Sequence, residues 1–203
     1  AHGADKHVVP PGTIAPAASV PPYEGCAHAA TQIQWAVNEA VAAETVWVSN
    51  GVYVLTNQVV VTNGITLRST NGPAATILDG NFIPGAPQTN RCLLISNASA
   101  FVHGFTLTNG AREADDGGGV RIYAGMLSNC YVVNNAIFQP VPPVGGYGGG
   151  IYMTGGTVTY CRITGNIATN RGTGSSTCYG GGIAGYPAKI FNCVISNNAQ
   201  RGG

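Results

Sequence analysis

The residues able to do chemistry are few, and the densest group is the run AREADDGGG from Ala111 to Gly119. It places Glu113, Asp115 and Asp116 beside Arg112. Carboxylates at this spacing are candidate oxygen ligands for calcium, or an acid and a base for glycan cleavage. Asp-Asp-Gly is also plain turn chemistry leading into a glycine corner, which is the simpler reading. A lyase needs a basic residue beside bound calcium, and Arg68, Arg121 and Arg162 have no acidic partner visible along the chain. No catalytic residue is therefore assigned, and no metal or cofactor is expected. His103 sits in an alternating strand pattern and reads as a surface or corner residue. His2, His7 and His28 lack metal-ligand spacing, and Asp79, in ILDGN, reads as an Asp-Gly turn. Trp35, Trp47, Tyr147, Tyr152, Tyr179 and Tyr186 would make a sugar-stacking strip if several shared a face; core and corner packing is the competing reading.

These residues ride on an internal repeat. GGGVRIYAGMLSNCYVVNNA from Gly117, GGGIYMTGGTVTYCRITGNIA from Gly148 and GGGIAGYPAKIFNCVISNNA from Gly180 share one frame. Its cysteines are Cys130, Cys161 and Cys193, its closing asparagines Asn135, Asn166 and Asn198, and every landmark steps by 31 and then 32 residues. A unit this short cannot bury its apolar face alone, so it must stack on its neighbours as a solenoid. The cysteine ladder reads as buried thiols packed like small apolar side chains. The asparagines suit corners, where they tolerate left-handed backbone and hydrogen-bond from rung to rung. The glycine triplets permit sharp corners that a Cβ would obstruct. Cys26 and Cys178 stand outside the frame, Cys178 at the end of a projecting loop. They are candidates for a disulfide, between subunits more readily than within one. Cys92 reads as buried.

Composition limits the partners. Of 203 residues, 44% are hydrophobic and only 8% charged, with a net charge of +1, so the surface is largely neutral. No Lys/Arg run exists to neutralise a phosphate backbone, and nucleic acid is not expected. No apolar run is long enough to span a membrane. The numbered chain starts at Ala1 without a methionine, which fits export with a removed signal peptide and an extracellular or cell-surface location.

Residues 1–25 carry prolines at 10, 11, 16, 21 and 22 and read as an extended arm. Residues 26–44 contain the stripe Ile33, Val37, Ala40 and Val41, the pattern of an amphipathic helix spanning about Ala29 to Ala42. Residues 45–203 read as short strands and turns throughout. Period-two alternation puts Val120 and Ile122 in phase with Ile151 and Met153, facing one core. The expected fold is an all-β, right-handed, single-stranded parallel β-helix with an N-terminal capping helix, of about six coils for repeats of this class.

The segments HVVPPG, PPYEGCAHAATQIQWAVNEA, TVWVSNGVY, ITLRSTNGPAATILDGN, VHGFTLTNG and GGGIY resemble the right-handed parallel β-helix repeat proteins of the pectin lyase-like superfamily, especially large exported bacterial ones. The resemblance covers nearly the whole chain and implies the fold; the superfamily mixes polysaccharide lyases and hydrolases with adhesins and structural proteins. DDG followed by RIY resembles polygalacturonase-like hydrolases, but Tyr123 stands where their lysine would be, and their NTD and GHG segments are absent. His103 occupies a position that is commonly acidic in such segments, and Ala43 to Thr45 read AET where GDT is usual.

A β-helix has two open edges that must be covered. The helix covers one, whereas the final coil KIFNCVISNNAQRGG has no helix to cap it. The expectation is a structural protein, a subunit that self-assembles head to tail into a filament or surface array. His7, Val8, Val9, Ser19 and Val20 of the arm would meet Ile190 and Val194 of a neighbour's last coil. The alternative is a carbohydrate-active enzyme or glycan-binding module, polysaccharide lyase- or hydrolase-like, with glycans as partners and the chain a fragment of a longer protein whose further coils cover that edge.

Overall fold

The structure, a computed structural model, describes residues 4–13, 19–84, 90–139, 146–170, 178–186 and 189–201. His2, segment 14–18 and segments 140–145 and 171–177, the last two expected from the sequence as loops, lie outside these residues. The chain is a parallel β-helix. Its first sheet stacks Lys6–Val8, Thr45–Val48, Thr66–Ser69, Phe101–His103, Met126–Ser128, Thr157–Thr159 and Lys189–Phe191. The second stacks Gly51–Val54, Thr76–Asp79, Thr106–Thr108, Tyr131–Val133, Arg162–Thr164 and Val194–Ser196. The third stacks Val59–Val61, Leu93–Ile95, Val120–Ile122, Ile151–Met153 and Ile183–Gly185. From Ala111 onward the coils widen, adding a fourth sheet of Ala111–Glu113, Ala136–Gln139, Ile167–Asn170 and Ala199–Arg201. A further pair, Gly146–Tyr147 with Cys178–Tyr179, extends the last wide coils.

Alternation produces the core as expected. Val46, Leu67, Val102, Leu127, Val158 and Ile190 stand one above another in the first sheet, all fully buried except Ile190, which is only partly covered. Each enclosed aliphatic side chain contributes about 1.5–3 kcal/mol. Val120 and Ile122 pair with Ile151 and Met153, buried as their phase requires.

The repeat frame is a set of corner devices. Asn135 Oδ1 accepts the Gly110 N–H at 2.8 Å, Asn166 Oδ1 the Asn135 N–H at 3.0 Å, and Asn198 Oδ1 the Asn166 N–H at 3.0 Å. Their amides donate to the Leu107, Val132 and Ile163 carbonyls at 2.9–3.0 Å. The left-handed backbone expected of these residues belongs to the residue before each, Asn134, Gly165 and Asn197, with φ of 55°, 69° and 54°. The two jobs are split because a side chain stacked inward needs extended backbone. The third glycine of each triplet, Gly119, Gly150 or Gly182, faces a ladder amide so closely that a Cβ would stand 2.7–2.9 Å from it. Glycine and asparagine thus recur together for one steric reason. The thiols form a second ladder: Cys161 Sγ lies 3.4 Å from the Cys130 N–H and Cys193 Sγ 3.4 Å from the Cys161 N–H.

Several expectations need correction. The sheet begins inside the arm, where Lys6–Val8 pairs in parallel with Val46–Val48 of the same chain. The prolines start only at position 10, so Lys6–Val8 keeps its N–H groups and can join a ladder. Both N–H groups of the outer edge are taken: His7 donates to the Tyr23 carbonyl and Val9 to that of Ala30, each at 2.9 Å. His7, Val8 and Val9 are therefore engaged within the chain and not presented to a neighbour. Val20 is exposed and its carbonyl accepts the Tyr23 N–H, closing a turn. The helix spans only Ile33–Glu39, preceded by a single 3-10 turn at Cys26–His28. It stops early because Ala40 is already extended, Ala43 takes a left-handed φ of 71° and the Glu44 carboxylate accepts the Val41 N–H, turning the chain into Thr45–Val48. Cys26 and Cys178 are free within the chain. Cys178 is not a loop thiol but a buried strand residue packed with Ile137 and Ala168.

The two ends differ. At the capped end the Gln34 carboxamide mimics a strand, its Oε1 accepting the Val60 N–H at 2.7 Å and its Nε2 donating to the Val60 carbonyl at 3.2 Å. Gly51–Val54 remains an edge strand there. At the open end Ile183–Gly185, Lys189–Phe191, Val194–Ser196 and Ala199–Arg201 are all terminal in their sheets. Phe191, Val194 and Ile195 are 55%, 61% and 50% exposed. Among the described residues nothing continues the asparagine or cysteine ladder beyond Asn198 and Cys193.

Candidate functional site

Widening of the coils at Ala111 is what assembles the acidic run into a site. Arg112 lies in Ala111–Glu113, Asp115 and Asp116 follow in the turn, and Arg121 is the outward residue of Val120–Ile122. Leu93–Ile95 pairs with Val120–Ile122, which carries Arg91 to the same place. Asp115 receives three guanidinium groups: Arg91 at 2.6 Å and Arg112 at 2.7 Å on one oxygen, Arg121 at 2.6 Å on the other. Arg91 is 3% exposed and also donates to the Gly117 and Asp116 carbonyls. Asp116 accepts the Tyr147 N–H at 2.9 Å, with Arg121 3.8 Å away.

Electrostatics separates the two carboxylates. Burial would raise Asp115, but the Asp116 N–H and the Arg91 and Arg112 guanidiniums together hold it below the usual carboxylate range. Asp116 is raised, chiefly by burial, with the Asp115 charge adding to it. Burial pushes the Arg91 guanidinium down. A carboxylate surrounded by three cations repels a further one, so the calcium reading of Glu113, Asp115 and Asp116 fails. Glu113 is exposed. Among the described residues no group of three or more His, Cys, Asp or Glu side chains is placed to hold a metal.

Aromatic rings border this cluster. The Arg121 guanidinium lies 4.8 Å from the Tyr123 ring centre and 5.6 Å from that of Tyr152. Tyr147 contacts Tyr152 at 6.0 Å and stacks on Tyr179 at 5.7 Å with an interplanar angle of 4°. Tyr147, Tyr152 and Tyr179 thus share a face, with Tyr123 beside them across Arg121, an arrangement that corner packing accounts for as readily as a stacking strip. Tyr186 is 87% exposed, Trp35 lies at the capped end, and Trp47 is held by Arg68 at 4.5 Å and by Asp5, which accepts its indole N–H at 2.9 Å. His103 is half-buried beside Asn129 and Arg68, and burial, then Arg68, lowers its pKa.

The sequence reading missed Arg91 and the convergence of Arg121 on the aspartates. Arg91 stands 24 residues before Asp115, and only the register of Leu93 on Val120 joins them. Alignment of RCLLI with GGVRI as neighbouring rungs was the signal available. Chemically, the cluster can hold a polar ligand against tyrosine faces, and it offers two carboxyl groups of opposite tendency. Comparisons with protein-family models, curated proteins and solved structures find no match to this chain.

Proposed function

We propose that the chain is a structural module of an exported assembly, joined through its open end to a second copy. The observation that supports this is the inequality of the ends. Gln34, Tyr23 and Ala30 occupy backbone groups at the capped end, whereas the open end leaves terminal strands in four sheets and an apolar slice around Ile183, Ile190 and Ile195. Covering a few hundred Å² of such surface at about 25 cal/mol per Å² is worth several kcal/mol before association costs. Two copies meeting last coil to last coil form a closed pair about a two-fold axis, whereas that end meeting a different surface extends into a filament. Sedimentation velocity across a dilution series tests this. Wild type shifts from dimer to monomer on dilution, and Val194→Asp with Ile195→Asp remains monomeric with an unchanged circular dichroism spectrum. A wild-type monomer at every concentration refutes the reading.

A second reading, glycan binding on the outer face, draws on the Tyr147–Tyr179 stack beside Arg121. Loss of binding to an acidic oligosaccharide in Tyr152→Ala, with dimerisation intact, would select it.

A further inference from the structure

Cys130, Cys161 and Cys193 occupy one position in three successive coils, each directly before the strands that pair Tyr131 with Arg162 and Arg162 with Val194. Their side chains repeat one geometry. Each Sγ lies 3.2–3.3 Å from the carbonyl two residues earlier, that of Ser128, Thr159 or Phe191. Each also accepts an N–H of the preceding coil at 3.4 Å, from Phe105, Cys130 and Cys161 in turn. Sulfurs held alike on stacked parallel strands repeat at the strand spacing, about 4.8 Å.

That spacing selects one kind of ligand. A metal-thiolate bond is about 2.3 Å long, so two of them end to end span about 4.6 Å. Soft closed-shell monovalent ions, copper(I) and silver(I), choose thiolates and accept two of them in a line. Zinc demands four ligands, and among the described residues no group of even three His, Cys, Asp or Glu side chains is placed for a metal. A disulfide needs Cβ atoms about 3.5–4.5 Å apart, closer than the strand spacing, and all three cysteines are free. The N–H groups of Cys130 and Cys161, aimed at the sulfurs of Cys161 and Cys193, favour the charged thiolate that a metal requires.

We propose that Cys161 and Cys193 bind one soft monovalent cation, copper(I) or silver(I), between them at the open end. Two thiols and one M⁺ give a linear S–M–S unit with one net negative charge, and two protons pass to water. No electron is transferred. Burial raises the Cys193 thiol, so the ion must displace protons, and binding strengthens as pH rises. Cys193 is only partly covered and meets the ion first, while Cys161, 2% exposed, closes the far side. Cys130 stands one coil deeper and is fully buried, so the outer pair is the one that solvent reaches.

The test uses the Cys26→Ser chain, which lacks the exposed thiol, reduced and free of oxygen. It is titrated with copper(I) against a coloured copper(I) chelator, and with silver(I) by calorimetry. Protein is kept dilute, below the concentration at which copies would pair, so the result is separate from the assembly reading. The expected result is tight binding of one ion, stronger at higher pH. Cys193→Ser should weaken it by at least about a hundredfold, the upper end of what loss of even an outer partner costs a metal site. Cys178→Ser, whose thiol packs apart with Ile137 and Ala168, should leave it unchanged. If Cys193→Ser does not fold, X-ray absorption of the copper-loaded chain decides, with two sulfur neighbours at about 2.3 Å expected. No binding by the folded chain, unchanged affinity in Cys193→Ser, three or four sulfur neighbours, or zinc competing equally would overturn the proposal.

Discussion

Asn166 Oδ1 accepts both the backbone N–H and the side-chain amide of Asn135, each at 3.0 Å, so one oxygen closes two buried donors of the preceding coil. Asn198 Oδ1 serves Asn166 in the same way at 3.0 and 2.9 Å. The repeat is written in asparagine because only a carboxamide offers this acceptor while its own donor reaches back to a carbonyl.

Removal of that oxygen strands the donors. Asn166→Ala should therefore destabilise by about 2–4 kcal/mol, given 1–3 kcal/mol for each buried group left unpaired. Asn198→Ala should cost less, because its coil is half open. Urea denaturation of the two variants checks the order, and equal losses would contradict the ladder.

Thiol reactivity should follow position. Cys26 is exposed and should react with a disulfide reagent at once, Cys193 more slowly, and Cys92, Cys130 and Cys161 only on unfolding. Burial pushes the Cys92 thiol up to about 12, which removes the thiolate that reacts. Rapid modification of Cys130 or Cys161 in the native protein would place the ladder wrongly.

Acid should act through Asp115. Its folded pKa lies below its ordinary value of 3.8, so its stabilisation is present above that value and is lost as pH falls through the folded pKa. Asp115→Asn should flatten the acid limb of the stability profile. At neutral pH it should cost about 2–3 kcal/mol, less than the 3–5 kcal/mol of a fully buried pair because Asp115 is 23% exposed. Asp116 has the opposite sign: its pKa is raised, so its ionised form opposes folding at neutral pH, and Asp116→Asn, which keeps an acceptor for Tyr147, should stabilise there. Melting temperatures from pH 2 to pH 7, a range chosen to bracket ordinary carboxylate titration at about 4, measure both.

The Gln34 cap should be visible locally. Gln34→Leu keeps the bulk but removes both bonds to Val60, at a cost of about 1–3 kcal/mol. Amide exchange at Val60 should accelerate while that of Val158 stays slow.

The fold was legible because its cause is local and repeated. Alternation fixed which of Val120, Arg121 and Ile122 faces inward, and the Gly–Cys–Asn frame fixed which coils stack. Less of the site was legible. Arg91, Arg121 and Asp115 meet through strand register, which no spacing along the chain records. Short pairing at His7–Val9 was legible, but its partner, Val46–Val48 of the same chain, was not. The helix was drawn too long because Ala40 and Val41 continue its apolar stripe after the backbone has turned. Residues whose role depends on a neighbouring rung are read only once the rungs are aligned.

Hydrogen exchange read by mass spectrometry at high and low protein concentration tests the central claim, that the open end alone joins copies. The account predicts that protection of residues 189–201 rises with concentration while that of Gly51–Val54 does not change. Concentration-dependent protection at Gly51–Val54, or none at 189–201, would contradict it.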